Sequence, residues 1–116
     1  MIKKAGELRH SADSNMRGGN GTVEMIHFME KADSFGTGRL FSLATLPPGA
    51  SIGTHKHEGE FEIYYILKGT AHVMDNDAPG ILEPGDCMVC LDGDSHSIEN
   101  RGDTPVEALF LVLHTK

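Results

Sequence analysis

A chain of 116 residues and 12.6 kDa is sized for one domain around one core. Seventeen acidic against ten basic side chains leave a net charge of −7, which argues against a nucleic-acid partner or an anionic membrane surface. No apolar run reaches spanning length, Met1 to Arg17 lacks the apolar centre of a signal peptide, and Cys87 and Cys90 make no disulfide framework, so the expected setting is cytoplasmic.

In chain order, residues 1–21 read as a polar, irregular segment ending in MRGGNG, and the folded domain is expected over 22–116. The glycines of MRGGNG suggest a turn. As a phosphate cradle the stretch fits neither known fingerprint, and no helical pattern follows it. Thr22 to Met29 is the first strand, Lys31 to Arg39 a loop, and Leu40 to Leu46 a second strand closed by Pro47-Pro48-Gly49. Ala50 to Lys56 and the aromatic, β-branched run Phe61 to Leu67 follow as strands. The Lys68-Gly69 turn leads into Thr70 to Met74. Asp75 to Pro84, rich in Asp, Asn, Pro and Gly, reads as loop with a short strand at most. Cys87 to Leu91, Ser95 to Asn100 and Pro105 to His114 complete the set. No segment has helical periodicity. Many short strands parted by turns predict an all-β sandwich or barrel.

Strand alternation assigns faces. If Glu62 points inward, so do Tyr64 and Ile66, while Ile63, Tyr65 and Leu67 point out. Val106, Ala108, Phe110 and Val112 alternate in the same way with Glu107, Leu109, Leu111 and Leu113. Both faces are therefore apolar, and the outer one calls for a partner, most simply a second copy in a homodimer.

The chemistry gathers in GASIGTHKHEGEFEIYYILKG, Gly49 to Gly69. His55 and His57 are two apart and share one face of a strand. Glu62 lies at an odd offset, but the Glu58-Gly59-Glu60 turn resets the phase and lets it face the histidines from the next strand. His96 is a fourth candidate. Imidazole nitrogen with carboxylate oxygen suits a divalent transition metal: Mn, Fe, Zn or Ni, with Co and Cu also within range. Tyr64 shares the Glu62 face and reads first as core packing; as the alternative, its hydroxyl is offered to a bound ligand, which makes it the candidate catalytic residue. His27 and His72 lie within strands and read first as hydrogen-bonded strand histidines, with cavity lining as the alternative. His10 and His114 read as inert. Cys87 and Cys90, three apart on one strand, point to opposite faces and share neither a disulfide nor a metal.

The spacing G-x5-HxH-x4-E-x6-G at Gly49, His55, His57, Glu62 and Gly69 resembles the first motif of the cupin superfamily. The second, G-x5-PxG-x2-H-x3-N, is matched by Gly85, Gly93, His96 and Asn100, with Leu91 where the family has proline. The resemblance implies a jelly-roll barrel (a double-stranded β-helix) holding one metal through His55, His57, Glu62 and His96. Glu58 and Glu60 break the motif spacing and read as solvated acids of the turn. It also implies a dimer, and among small bacterial cupins the nearest character is oxalate-decarboxylase-like. An enzyme (decarboxylase, dioxygenase or isomerase) and a binding or sensing module that captures a small carboxylate are both consistent with that site, as is a domain the metal merely stiffens.

Overall fold

The two longest-range partners in the chain, β3 (Gly38–Leu46) and β10 (Val106–His114), run antiparallel at the centre of a six-stranded sheet. The computed structural model describes residues 1–116. The other strands are β1 (Arg9–Ser14), β2 (Thr22–His27), β4 (Ser51–Lys56), β5 (Glu60–Lys68), β6 (Ala71–Asp75), β7 (Ala78–Leu82), β8 (Cys87–Cys90) and β9 (Ser95–Glu99). The larger sheet has the order β1-β2-β3-β10-β5-β8 and the smaller one β4-β9-β6-β7. All pairings are antiparallel. There is no α-helix, only three short 3-10 turns. This is the jelly-roll arrangement, two sheets face to face.

The inward faces follow the period-two pattern of the sequence. Tyr64, Ile66, Ala108 and Phe110 from the large sheet meet Ile52, Val73 and Ile98 from the small one, all buried. Glu62 joins the same inner row at 4% exposure, while Tyr65 and Leu67 on the other face of β5 are 41% and 42% exposed.

Two expectations need correction. The segment 1–21 is not irregular throughout: β1 pairs with β2 from Arg9↔His27 to Ser14↔Thr22. Its sequence, RHSADS, has no apolar alternation because it is an exposed edge strand, ordered by the ladder rather than by burial. The punctuated stretch 75–84 also holds a full five-residue strand, β7, again at a sheet edge, where Pro79 and Gly80 are tolerated. Elsewhere the boundaries move by one or two residues.

The missing proline at Leu91 leaves its turn intact. The Asp94 N–H bonds the Leu91 carbonyl at 2.9 Å, and Gly93 takes the positive φ of +92° that a turn of this kind needs. The same turn clasps the HxH segment. Gly93 N–H donates to the His57 carbonyl at 2.7 Å, and His57 N–H to the Asp94 carbonyl at 3.0 Å. Asn100, fully buried, donates from Nδ2 to the carbonyls of Leu46 and Thr104 and accepts from the Gly102 N–H, so it is a fold-holding residue.

Candidate metal centre

His55 lies on β4 directly opposite His96 on β9, and a register shift between Ile52 and His55 aims β4 into the barrel. His57 follows just past the end of β4. Gly59, at φ +74°, turns the chain so that β5 brings Glu62 back toward the histidines. The four side chains converge, with their ligand atoms all within 4.8 Å of one another. Glu62 Oε1 is 3.0 Å from His96 Nε2, 3.1 Å from His57 Nε2 and 3.8 Å from His55 Nε2. His96 Nε2 is also 3.0 Å from both His55 Nε2 and His57 Nε2.

These contacts fit a metal better than they fit one another. Three imidazole Nε2 atoms facing inward cannot all be mutual donors and acceptors, whereas a cation accepts a lone pair from each. With metal–donor bonds of about 2.1 Å, donors at right angles sit about 3.0 Å apart, the spacing that recurs here. The outer nitrogens are arranged to match. His55 Nδ1 faces the Gly53 carbonyl at 2.7 Å, and His57 Nδ1 faces Glu60 Oε2 at 2.6 Å, so each ring is steered to keep its proton on Nδ1 and its lone pair on Nε2. His96 Nδ1 is buried without a partner; that ring is instead fixed by stacking on Tyr64, 4.7 Å between centroids and 13° off parallel.

Electrostatics reinforce the set. Burial pushes Glu62 toward its neutral acid, but hydrogen bonding to His55, His57 and His96 wins and holds its carboxyl far below the usual range. His57 is raised by its bond to Glu62 and, against burial, by Glu60; His96 is lowered by burial. Glu60 is pulled to about 2 chiefly by Arg39, against burial, with His57 adding to the pull. Arg39 grips it with Nε at 2.8 Å and Nη2 at 2.7 Å. Glu60 is therefore no alternative ligand but the support for one. Its offset of two from Glu62 put it on the same strand face and was the available signal; Arg39, 21 residues away on another strand, gave none. Glu58 is exposed beside Lys56.

A cavity of about 60 Å³ opens beside His55, His57 and Glu62 and is walled by Met16, Met25, Leu40, Ile52 and Phe110, with Arg17, Arg39 and Tyr64 supplying further polar groups. Tyr64 is buried, its hydroxyl 3.3 Å from His96 Nε2, and burial raises its pKa well above the ordinary phenol value. His27 is elsewhere, with Nε2 2.8 Å from Ser11 Oγ, and His72 sits on the outer face of the small sheet beside a separate, open groove. Neither lines the metal cavity. Cys87 is exposed and Cys90 buried, as opposite faces require, and burial lifts the Cys90 thiol to about 11.

Residues 42–112 match the Cupin domain family, a span that holds all four candidate ligands. The chain belongs to the cupins. A Thermotoga maritima oxalate-binding protein is 46% identical over 113 residues, 97% of this cupin and 93% of the relative. The crystal structure of a predicted oxalate decarboxylase from the same organism superposes with a TM-score of 0.92 at 46% identity, covering 98% of this chain and 99% of that one. A sugar phosphate isomerase cupin from Silicibacter pomeroyi superposes at 0.77 with 18% identity over 99% of this chain and 76% of that one, a likeness of fold alone. No helix of this cupin is long and apolar enough to cross a membrane.

Proposed function

We propose that this cupin captures a small carboxylate, oxalate or a short α-keto acid, at one divalent transition metal held by His55, His57, Glu62 and His96. The observation that carries the reading is the convergence of three neutral donors and a single anionic one beside a cavity of about 60 Å³. Glu62 cancels only about one of two cationic charges, which leaves the centre attractive to anions despite the acidic chain. A bound ion of this kind supplies Lewis-acid attraction for carboxylate oxygens. The enclosed part of the cavity, with room for about four to six water-sized volumes, suits a molecule of a few heavy atoms. The oxalate-binding relative supports the same class.

Within the cavity the groups available for proton transfer are few. Glu60 is locked to Arg39 and His57, and burial raises the Tyr64 phenol in the metal-free protein, which suits Tyr64 to donate a hydrogen bond to a ligand oxygen. This favours capture over turnover. The Tyr64 hydroxyl, 3.3 Å from a ligand nitrogen, is the observation on which the second reading, an oxalate-decarboxylase-like enzyme with Tyr64 catalytic, rests. A cytoplasmic setting, with both cysteines as free thiols, and a homodimer joined through the apolar outer face of the large sheet complete the reading.

Calorimetry on protein loaded with Mn or Fe tests it. Oxalate should bind, and in Glu62→Gln its affinity should fall in step with the metal that variant loses, measured on the same sample; binding of neutral sugars or diols with no carboxylate uptake overturns the reading. Release of CO2 from oxalate, lost in Tyr64→Phe, would move the assignment to the enzyme.

A further inference from the structure

Four arginines are present, and three of them are tied down: Arg9 to Glu30, Arg39 to Glu60 and Arg101 to Glu99. Arg17 is the exception. It is exposed, makes no ion pair, and lines the metal cavity.

Its backbone is held where an ordinary side chain is not comfortable. Arg17 has φ 53° and ψ 32°, in the left-handed region, two residues after Asn15 at φ 55°. Neither residue is glycine. The tight turn containing Arg17 is pinned from several sides: Asn15 N–H donates to the Gly21 carbonyl, Asn15 Nδ2 to the Gly19 carbonyl, and Ser51 N–H on β4 to the Asn20 carbonyl. It also presses on β4 so closely that only glycine fits at the contact. A Cβ at Gly53 would lie 2.1 Å from the Arg17 carbonyl oxygen, and one at Gly19 would lie 2.2 Å from the Ser51 carbonyl oxygen. The MRGGNG stretch is thus a strap pinned to β4, as its turn reading implies, and it sets Arg17, which makes no ion pair, in the lining of the metal cavity.

We infer that Arg17 is the dianion-selecting residue of this site, pairing with the carboxylate of a dicarboxylate that faces away from the metal. The inference rests on the small-carboxylate reading above and deepens it. Charge counting favours it. The four ligands leave a divalent centre near +1, Arg39 is neutralised by Glu60, and Arg17 is the remaining uncompensated side-chain cation lining the cavity. One unit from the centre and one from Arg17 match a dianion, whereas a monocarboxylate needs only the first. A guanidinium also presents paired N–H donors that fit the two oxygens of a carboxylate.

The test compares oxalate and acetate binding by titration calorimetry at fixed ionic strength, using Mn-loaded wild type, Arg17→Gln, Arg17→Lys and Arg17→Gly, with metal content measured in each. In Arg17→Gln, oxalate affinity should fall by about 10- to 100-fold, the size of a charge-assisted hydrogen bond, while acetate affinity and Mn content stay as in wild type. Arg17→Lys should recover part of the loss. Arg17→Gly, which relieves the left-handed backbone, should melt no lower than wild type and bind oxalate as weakly as the glutamine variant, which separates selection from folding. Oxalate affinity unchanged in Arg17→Gln, with oxalate still binding wild type, overturns the role of Arg17 and leaves the carboxylate reading standing. Failure of Mn-loaded wild type to bind oxalate overturns both.

Discussion

Glu60 Oε2 lies 2.6 Å from His57 Nδ1, and the same oxygen is held by Arg39 Nη2 at 2.7 Å. The pair orients a ligand without touching the metal position. A carboxylate on the far nitrogen makes the near one a better donor and fixes the ring, and such supports affect metal affinity by about 10–100-fold. Glu60→Gln is therefore expected to weaken Mn or Zn binding by about that factor, with Glu60→Asp intermediate and Glu58→Gln, in the exposed turn, unchanged. Competition with a metal-indicator dye reads all three. Equal affinities would reduce Glu60 to a surface ion pair.

The centre itself predicts one divalent ion per chain. Because the protein has its own core, stripping the ion should lower the melting temperature without unfolding the domain. At 100-fold excess of metal over its Kd the stabilisation is about 2.7 kcal/mol, a melting shift on the order of 10 °C for a domain of this size. Elemental analysis with and without chelation checks the content, and scanning calorimetry the shift. Full occupancy in His57→Ala would mean that the ion sits elsewhere.

The acid side of the stability profile belongs to Glu60 and to Glu62, both held below the usual carboxylate range. The folded pKa of Glu60, about 2, is below the ordinary 4.5, so its contribution is present above 4.5 and drains away as pH falls toward 2. His57 works in the opposite sense: its raised pKa stabilises the metal-free fold below 6.5, and that contribution is lost as pH rises through the folded value. His96, lowered by burial, acts against His57 below 6.5; where His57 outweighs it, metal-free protein is most stable between about pH 4.5 and 6.5. Loading metal, which requires neutral imidazoles, should move the optimum upward. Melting curves against pH for both forms decide this. A metal-free optimum above pH 7 would show that the His57–Glu60–Glu62 cluster does not govern the profile.

Much of this site is legible in the sequence because strand geometry is simple. Two residues apart means one face, so His55 with His57, and Glu62 with Tyr64 and Ile66, were readable from spacing alone. The Glu58-Gly59 turn carried enough signal to place Glu62 opposite the histidines. What was hidden depended on pairing between distant segments. β1 has no apolar pattern because its order comes from hydrogen bonds to β2, and Arg39 meets Glu60 only through the register of β3, β10 and β5. The reach of Arg17 was hidden for the same reason. MRGGNG advertises a turn, but nothing local says that the turn packs on β4 beside a metal cavity.

The last prediction concerns the outer face of the large sheet. Ladder pairing puts Leu111 beside Ile63 on one side and Phe41 on the other, with Val89 beyond Ile63; the next row sets Tyr65 and Leu43 on either side of Leu109. These side chains are half-buried or exposed, and they form one continuous apolar surface across four strands. An isolated small domain rarely leaves such a surface to water, and a two-fold pairing of the same face is the simplest cover. Light scattering at micromolar concentration should give twice 12.6 kDa. Tyr65→Lys combined with Val89→Lys, both at positions more than 40% exposed, should yield monomers with little loss of subunit stability, since neither side chain belongs to the core. Metal content should stay the same, because all four ligands point to the opposite face of the sheet or lie on the other one. A wild-type monomer would leave this face bare, and a dimer indifferent to both lysines would place the contact elsewhere.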